Sequence, residues 1–132
     1  MFRKFVVATS LNTEMIDVTS RVQEIVAGTK NDASLCCVFI PHTTAGITIN
    51  ENADPAVRRD MLVELNKIVQ EREYFTHIEG NSAAHIKASL IGSSVTVPVE
   101  NGKLALGKWQ GIYLCEFDGP RAREVWVQII KE

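Results

Sequence analysis

Four consecutive segments typical of β-strands fill the last third of the chain, and they constrain the fold more than any other feature. "SVTVPVENGKLAL" predicts a hairpin, because Asn101-Gly102 can supply the two positive φ angles of a tight turn. "GIYLCEF" (111–117) and "REVWVQII" (123–130) follow, and the Gly119-Pro120 pair between them is typical of turns. Because strands linked by hairpins pair antiparallel, the sequence predicts a mainly antiparallel sheet here.

The first two thirds of the chain add helices to this sheet. Alternating or continuous apolar runs predict strands at 2–9, 34–40 and 45–51, and helical periodicity predicts helices at 20–27, from Asp54-Pro55 onward and at 82–91. Ser20 fits a capping box for the first helix, and Asp54 before Pro55 fits a cap for the second. The second helix is expected to bury Val57, Met61, Leu65 and Ile68. The element order predicts one α+β domain over 1–132, with helices packed on one side of the sheet system.

Composition excludes several classes of protein. The net charge is −2, whereas a duplex-binding protein of this size normally has a basic excess, so we expect no nucleic-acid partner. No apolar run reaches the length of a membrane span, so we expect no membrane association. A Gly-rich loop of the P-loop or dinucleotide type is absent. The three cysteines lack metal or redox spacing, which predicts reduced core thiols in a cytoplasmic protein.

Three histidines lie outside the apolar runs, in segments rich in Gly, Asn, Thr and Asp. His42 follows the predicted strand 34–40, and His77 and His85 flank a predicted turn that leads into the helix at 82–91. Functional sites tend to be built at strand ends and helix starts. Three convergent imidazoles are a familiar metal set, so the sequence predicts a divalent-metal site. The spacing does not choose among zinc, copper, nickel and iron.

Each histidine also has an alternative interpretation as a hydrogen-bonded structural or surface residue. A joint site is favoured by the polar residues that accompany the histidines, namely Asn50, Asn52, Asp54, Glu79 and Asn81. For Asp54 and Asn81 the alternative is a structural role as helix caps. Lys87, two residues after His85, and Arg121, after the Gly-Pro turn, predict an anion-binding pocket if both reach the histidines.

The segment "GKWQGIYLCEFDGPR" contains Glu116 in an otherwise apolar strand. A buried carboxylate needs a partner, which Arg121, Arg123 or Lys87 could supply. Whether such a pair is structural or belongs to a site stays open from the sequence. Trp109 in the same segment is expected in a core or an interface more than in a substrate site.

Three blocks, "HTTAGITINENADP", "HIEGNSAAHIKASLIGSS" and "LGKWQGIYLCEFDGPR", resemble the signature blocks of the YjbQ family, small proteins described as uncharacterised or as secondary thiamine-phosphate synthases. The resemblance covers essentially the whole chain. It implies a sandwich-like α+β fold, a homotrimer and a polar pocket. Lys108 stands where the family pattern has a small hydroxyl residue, so a contact made by that hydroxyl is not expected here.

The resemblance implies a metal-assisted enzyme of the transferase type that acts on a small phosphorylated metabolite, with thiamine-phosphate formation as a possible side activity. His42, His77 and His85 would hold the metal, zinc or, with a pyrophosphate substrate, magnesium. Asp54 or Glu79 would act as acid or base. The expected ligands of anionic oxygens are Asn50, Asn52, Asn81, Lys87, Gln110 and Arg121. The alternative is a trimeric protein that binds a metal or a small anion without turnover.

Overall fold

The computed structural model describes residues 1–131, which form eight strands and three helices. In chain order these are β1 (Phe2–Ala8), β2 (Glu14–Asp17), α1 (Thr19–Ala27), β3 (Ala33–Phe39), β4 (Ala45–Glu51), α2 (Pro55–Ile68), α3 (Ser82–Ile91), β5 (Ser94–Glu100), β6 (Lys103–Leu104), β7 (Gln110–Glu116) and β8 (Ala122–Lys131). The predicted α+β class is confirmed. None of the helices in residues 1–131 is long and apolar enough to span a membrane.

The strands form two antiparallel sheets that pack against each other. The larger sheet has the order β1-β8-β3-β5-β6, and the smaller has the order β2-β7-β4. The main core lies between the sheets and includes Val38 and Val127 from the larger and Ile47 and Leu114 from the smaller. The molecule is therefore a sandwich, with a third layer formed by two helices.

The predicted antiparallel linkage of the last strands is only partly correct. The β5-β6 hairpin is confirmed, with Asn101 and Gly102 at φ 52° and 72°. However, β7 and β8 do not pair, because they belong to different sheets. Every residue of β7 after Gln110 is buried, so this strand needs a covering layer on each face. It obtains both as the centre of the smaller sheet, between the larger sheet and the helices.

Helices α2 and α3 cover the outer face of the smaller sheet. A second core cluster joins Tyr113 and Cys115 of β7 to Ala84 and Ala88 of α3, and Leu65 of α2 packs against it. The predicted buried stripe of α2 is wrong: no residue of this helix is fully buried, since Val57, Met61 and Leu65 are half-buried and Ile68 is exposed. Ile68 is 60% exposed, because the cluster contacts only the central turns of this helix.

The side-chain cap predicted for α2 is present, and the one predicted for α1 is not. Asp54 caps α2 as predicted, since its carboxylate accepts the Ala56 N–H at 2.9 Å. The capping box at Ser20 is wrong, because α1 begins one residue earlier and Val18 occupies its cap position. The backbone N–H and the hydroxyl of Thr19 instead donate to Asp17. Asp17 is the last residue of β2, which leads directly into α1. The sequence did not predict β2, because a four-residue strand is too short to show a clear pattern.

The C-terminal end of α3 lies directly on β4. The Ile47 N–H donates to the Gly92 carbonyl at 3.0 Å. A Cβ on Gly46 would lie 2.8 Å from that carbonyl oxygen, closer than real Cβ atoms approach, and 3.2 Å from Ile91 Cγ2, which is tighter than most Cβ contacts. Gly46 is therefore required for this close packing, which sets the position of the helix that carries His85.

Candidate functional site

His42 lies between β3 and β4 and is held by β8. Its Nε2 accepts the backbone N–H of Glu124 at 2.9 Å. A neutral ring that accepts at Nε2 carries its proton on Nδ1, so it offers a donor there. Burial lowers the pKa of His42, and the nearby charge of Arg123 lowers it further. The ring is therefore neutral at pH 7.

His77 and His85 form an adjacent pair of imidazoles. His77 lies in the exposed turn before α3, and His85 lies in the first turn of that helix. Their ring centroids are 5.4 Å apart and their planes are perpendicular. Two imidazoles that bind one tetrahedral metal, with nitrogens about 2 Å from it, have centroids about 5 Å apart. The spacing of this pair therefore fits two ligands of one metal.

His42 does not complete that pair into a metal site within one protomer. Among residues 1–131, no group of three or more His, Cys, Asp or Glu side chains is arranged to hold a metal ion. The structure thus brings together two of the three histidines predicted as ligands. The remaining ligands of a metal at His77 and His85 would have to be water, substrate or a group from a second copy of the chain.

His42 and His85 both line one cleft, which we call the histidine cleft, with a volume of about 480 Å³. The rest of its lining is small or hydroxylated and consists of Thr43, Ala45, Ala88, Ser89, Gly92 and Ser93. Ala88, Ser89 and Gly92 have small side chains or none, and they make room beside His85. Within the described chain, this lining contains no carboxylate.

A second opening, the arginine recess, shares His42, Thr43 and Ser93 with the histidine cleft and adds Arg121 and Arg123. The Arg121 side chain is 52% exposed and is held by Asp118 through Nη2 at 2.8 Å and Nε at 2.7 Å. His42 therefore lies between a cleft with a second imidazole and a recess with two guanidinium groups. Such a lining suits an anionic ligand.

Arg123 is the partner of Glu116, which is completely buried. Arg123 Nη2 lies 2.5 Å from Glu116 Oε2, and Nε donates to Oε1 at 2.9 Å. The Thr9 hydroxyl and the Asp118 N–H also donate to this carboxylate. Burial alone would raise the pKa of Glu116, but these hydrogen bonds outweigh it and the pKa lies below its ordinary value. The pair joins β7 to β8, and hence one sheet to the other.

The anion ligands predicted on α3 lie outside the histidine cleft. Residues two apart on a helix point to opposite sides of it. Lys87 accordingly lines a different cavity from His85, together with Asn81. The Asn81 side chain does not cap α3 but donates to Asp118 at 2.9 Å.

The remaining predicted residues lie at the other end of β4 or in exposed turns. β4 spans seven residues, or about 20 Å, so Asn50 lies far from His42. Gln110 lies near Asn50 and accepts the Gly107 N–H, while Asn52 donates to the Gln110 carbonyl. Asp54 is an exposed cap, and Glu79 is exposed two residues after His77. These five residues do not meet the histidine cleft within one protomer. Trp109 lies beside Asn50 and is 56% exposed.

The fold and the site together define a small three-layer α+β protein with a polar cleft between strand ends and a helix start. The family model described as UPF0047 protein YjbQ-like matches residues 3–132, and the chain belongs to this YjbQ/UPF0047 family.

Several relatives share nearly the full length of the chain. The UPF0047 protein YugU of Bacillus subtilis is 47% identical over 131 residues, which are 98% of this chain and 99% of YugU. A UPF0047 protein of Methanocaldococcus jannaschii is 46% identical over 98% of this chain and 94% of its own length. The crystal structure of an uncharacterised YjbQ/UPF0047 protein of Clostridium acetobutylicum is 54% identical, with a TM-score of 0.93, and covers 97% of this chain and 99% of that chain. These comparisons support the family and the fold, and the names assign no activity.

Proposed function

We propose that this protein is a metal-assisted enzyme that acts on a small phosphorylated metabolite at the histidine cleft. The observation that carries the proposal is the position of His42 between the histidine cleft and the arginine recess. The polar groups available there are mainly donors: the His42 Nδ1–H, the hydroxyls of Thr43 and Ser93, and the Arg121 guanidinium. Phosphate oxygens are acceptors, and they match this lining.

Arg121 is the residue best placed to recognise a phosphate. Its recorded hydrogen bonds use Nε and Nη2, both directed to Asp118, so the Nη1 protons remain for a ligand. Because Asp118 fixes the guanidinium, less side-chain entropy is lost when a ligand binds. The partial exposure of Arg121 gives a ligand access from solvent.

We propose His77 and His85 as the metal-binding pair, with zinc or magnesium as the ion, and we propose that His42, predicted from the sequence as the third ligand, instead donates a hydrogen bond to the bound anion. When bound, a divalent ion supplies positive charge that stabilises a leaving phosphate or pyrophosphate. In the orientation observed, His42 uses Nε2 for the Glu124 backbone and contributes a hydrogen-bond donor to the ligand. Its neutral state, set by burial, keeps this donor in place at pH 7.

His42 is the proposed acid–base group, since His77 and His85 are the proposed metal ligands and no carboxylate of residues 1–131 lines the histidine cleft. A role for Asp54 requires a second copy of the chain, because Asp54 follows the far end of β4. The reaction to test is thiamine-phosphate formation, in which pyrophosphate leaves a pyrimidine methyl carbon and a thiazole nitrogen attacks. The absence of carboxylates from the cleft lining favours a second candidate, a protein that binds the anion without turnover. We also propose a cytoplasmic location, consistent with the free Cys36 and Cys115, whose burial raises both thiol pKa values to about 12.

Pyrophosphate is expected to raise the melting temperature of the wild-type protein, and Arg121→Ala is expected to remove most of this rise. Ligand at about 100 times its dissociation constant stabilises a protein by about 2.7 kcal/mol, which is easily measured by thermal unfolding. Arg59→Ala is the matched control, because it removes an exposed positive charge from α2. An unchanged rise in Arg121→Ala would contradict the anion site. If the anion site is confirmed, a measurement of pyrophosphate release from a substrate distinguishes an enzyme from a protein that only binds the anion.

Zinc is expected to bind the metal-free wild-type protein and to bind His77→Ala and His85→Ala at least about tenfold more weakly, since even indirect changes at metal sites cost about 10- to 100-fold in affinity. Isothermal titration calorimetry measures these affinities. His42→Ala tests the third ligand: a comparable loss includes His42 in the metal site, and no loss limits the site to the pair. Equal affinity in all four proteins would overturn the metal proposal.

A further inference from the structure

Lys87, on the side of α3 away from His85, lines a cavity of about 360 Å³ that is separate from the histidine cleft. We call it the lysine cavity. Its polar lining includes Asn66, Glu71, Asn81, Lys87 and Asp118. The volume lies in the range of small-molecule sites. Lys87 is only 7% exposed, so its ammonium group belongs to the cavity and not to the outer surface.

Three side-chain amides of this cavity each donate one N–H to another group of the protein. Asn66 Nδ2 donates to the Thr13 hydroxyl at 3.3 Å, and Asn81 Nδ2 donates to Asp118 Oδ2 at 2.9 Å. Asn12 Nδ2 donates to the Gly119 carbonyl. Each of these amide nitrogens carries a second N–H, so these side chains keep donor capacity beside Lys87.

The cavity wall also contains acceptors with unused lone pairs. Asn81 Oδ1 is the one buried side-chain polar atom in residues 1–131 that has no hydrogen-bond partner. Its amide orientation is fixed, because a flip would place two oxygens against each other at Asp118. Leaving a buried acceptor unpaired is costly, and such groups in native proteins call for an explanation. Glu71 receives only the Ala83 N–H, through Oε1, and both recorded bonds to the Asp118 carboxylate use Oδ2.

Charge limits what can occupy these acceptors. Lys87 Nζ donates to Asn66 Oδ1 at 2.6 Å, and the nearby Glu71 balances its charge. Asp118 is balanced by Arg121. The lining thus has no large net charge, and it combines a cationic group with carboxylate oxygens that can still accept hydrogen bonds. A ligand that fits must present N–H donors at one end and anionic oxygens at the other.

We propose that the lysine cavity binds a small zwitterion. Its amino group donates to the Asp118 carboxylate beside Asn81, and its anionic oxygens accept from Lys87 Nζ. This site is distinct from the histidine cleft, because it lies on the other side of α3 and uses none of the histidines, although Asp118 also holds Arg121.

The test uses four ω-amino acids of increasing length, glycine, β-alanine, 4-aminobutyrate and 6-aminohexanoate, added to the wild-type chain and followed by ligand-observed NMR. At least one is expected to bind at millimolar concentration. Its N-trimethyl derivative keeps both charges but has no N–H donor, and it is expected to bind at least about tenfold more weakly. This comparison needs no variant and is unaffected by folding defects. Binding by none of the four, or equal binding of the trimethyl derivative, overturns the proposal.

Two variants locate the binding on the protein. Lys87→Met keeps the length of the side chain and removes its charge, and it is expected to weaken binding of the best amino acid at least about tenfold. His85→Ala, on the opposite side of α3, is expected to leave this binding unchanged. Undiminished binding in Lys87→Met overturns the assignment to this cavity. Because the probes differ from pyrophosphate and zinc, failure here and failure of the histidine-cleft proposal are separate results.

Discussion

Arg123→Met is expected to lower the free energy of unfolding by about 3–5 kcal/mol, because it leaves the Glu116 carboxylate buried without its counter-charge. Glu116 is fully buried, and the Arg123 side chain is only 4% exposed, so water cannot replace the lost partner. Thr44 also loses its hydrogen bond from Arg123 Nη2. Urea unfolding at pH 7 measures the effect.

The double variant Glu116→Leu/Arg123→Met is the control for this prediction. Replacing both partners of a buried pair by apolar residues of similar volume is often neutral, so the double variant should recover most of the stability. An equal loss in the double variant would show that Arg123 acts through packing and not through charge.

The pH dependence of Arg123→Met has a definite sign. In the wild type, the pKa of Glu116 lies below its ordinary value, so the ionised carboxylate stabilises the fold above the unfolded-state pKa, and this contribution is lost as the pH falls through the folded-state pKa. In Arg123→Met, burial without a counter-charge raises that pKa, so protonation relieves the variant first. The stability difference between the two proteins should therefore shrink between pH 7 and pH 4. A constant difference would contradict the charge argument.

Local signals in the sequence were enough to predict most of the elements. α3 occupies 82–91 as predicted, Asp54 caps α2, and Asn101-Gly102 forms the turn of its hairpin. These features depend on residues close together in the chain, where capping and turn chemistry act. The apolar run of β3 was also recognisable as a central strand.

The division of strands between two sheets could not be predicted in the same way. β7 and β8 are separated by a short turn, which is typical of a hairpin, but the burial of β7 on both faces places it in another layer. Whether a strand pairs with its neighbour or with a distant segment depends on which layers cover it. Local sequence patterns do not show which layers these will be.

The candidate site shows the same limit. His42 and His85 were both named from the sequence, and both line one cleft. Ser93 lies near His42 because the Ile40 N–H donates to the Ser93 carbonyl. This hydrogen bond joins segments that are distant in the chain, so no local sequence pattern indicates it. Lys87 was named but lies across α3 from His85, which helical geometry could have indicated, since two residues turn the helix by about 200°.

The second large expected effect concerns the outer face of the larger sheet, which exposes an apolar surface. The exposed apolar side chains on this face are Phe2, Val6, Leu35, Phe39 and Ile130, with Lys4 and Gln128 exposed between them. Phe2 and Phe39 contact the half-buried Trp126, with ring centroids 5.8 Å and 5.9 Å away. Contiguous apolar patches of this kind mark interaction surfaces. We propose that this face forms the interface of the homotrimer expected from the family resemblance.

Light scattering is expected to give three times the chain mass of 14.7 kDa for the wild type and 14.7 kDa for Phe39→Asp. The substitution places a charge beside Trp126 in the patch, where it would be buried without a partner in an assembly that covers these residues. Val63→Asp is the matched control, because Val63 is 50% exposed on α2, away from the sheet face, and it should leave the trimer intact. A wild-type monomer would refute the assembly, and a dimer or tetramer would refute only the number three. A Phe39→Asp protein that stays trimeric would place the interface elsewhere, and Val63→Asp would then test the α2 surface.

Because Asn50, Gln110 and Asp54 lie far from His42 within one protomer, assembly is also the one route by which these residues can reach a histidine cleft. The trimer measurement therefore decides whether they remain candidates for the site.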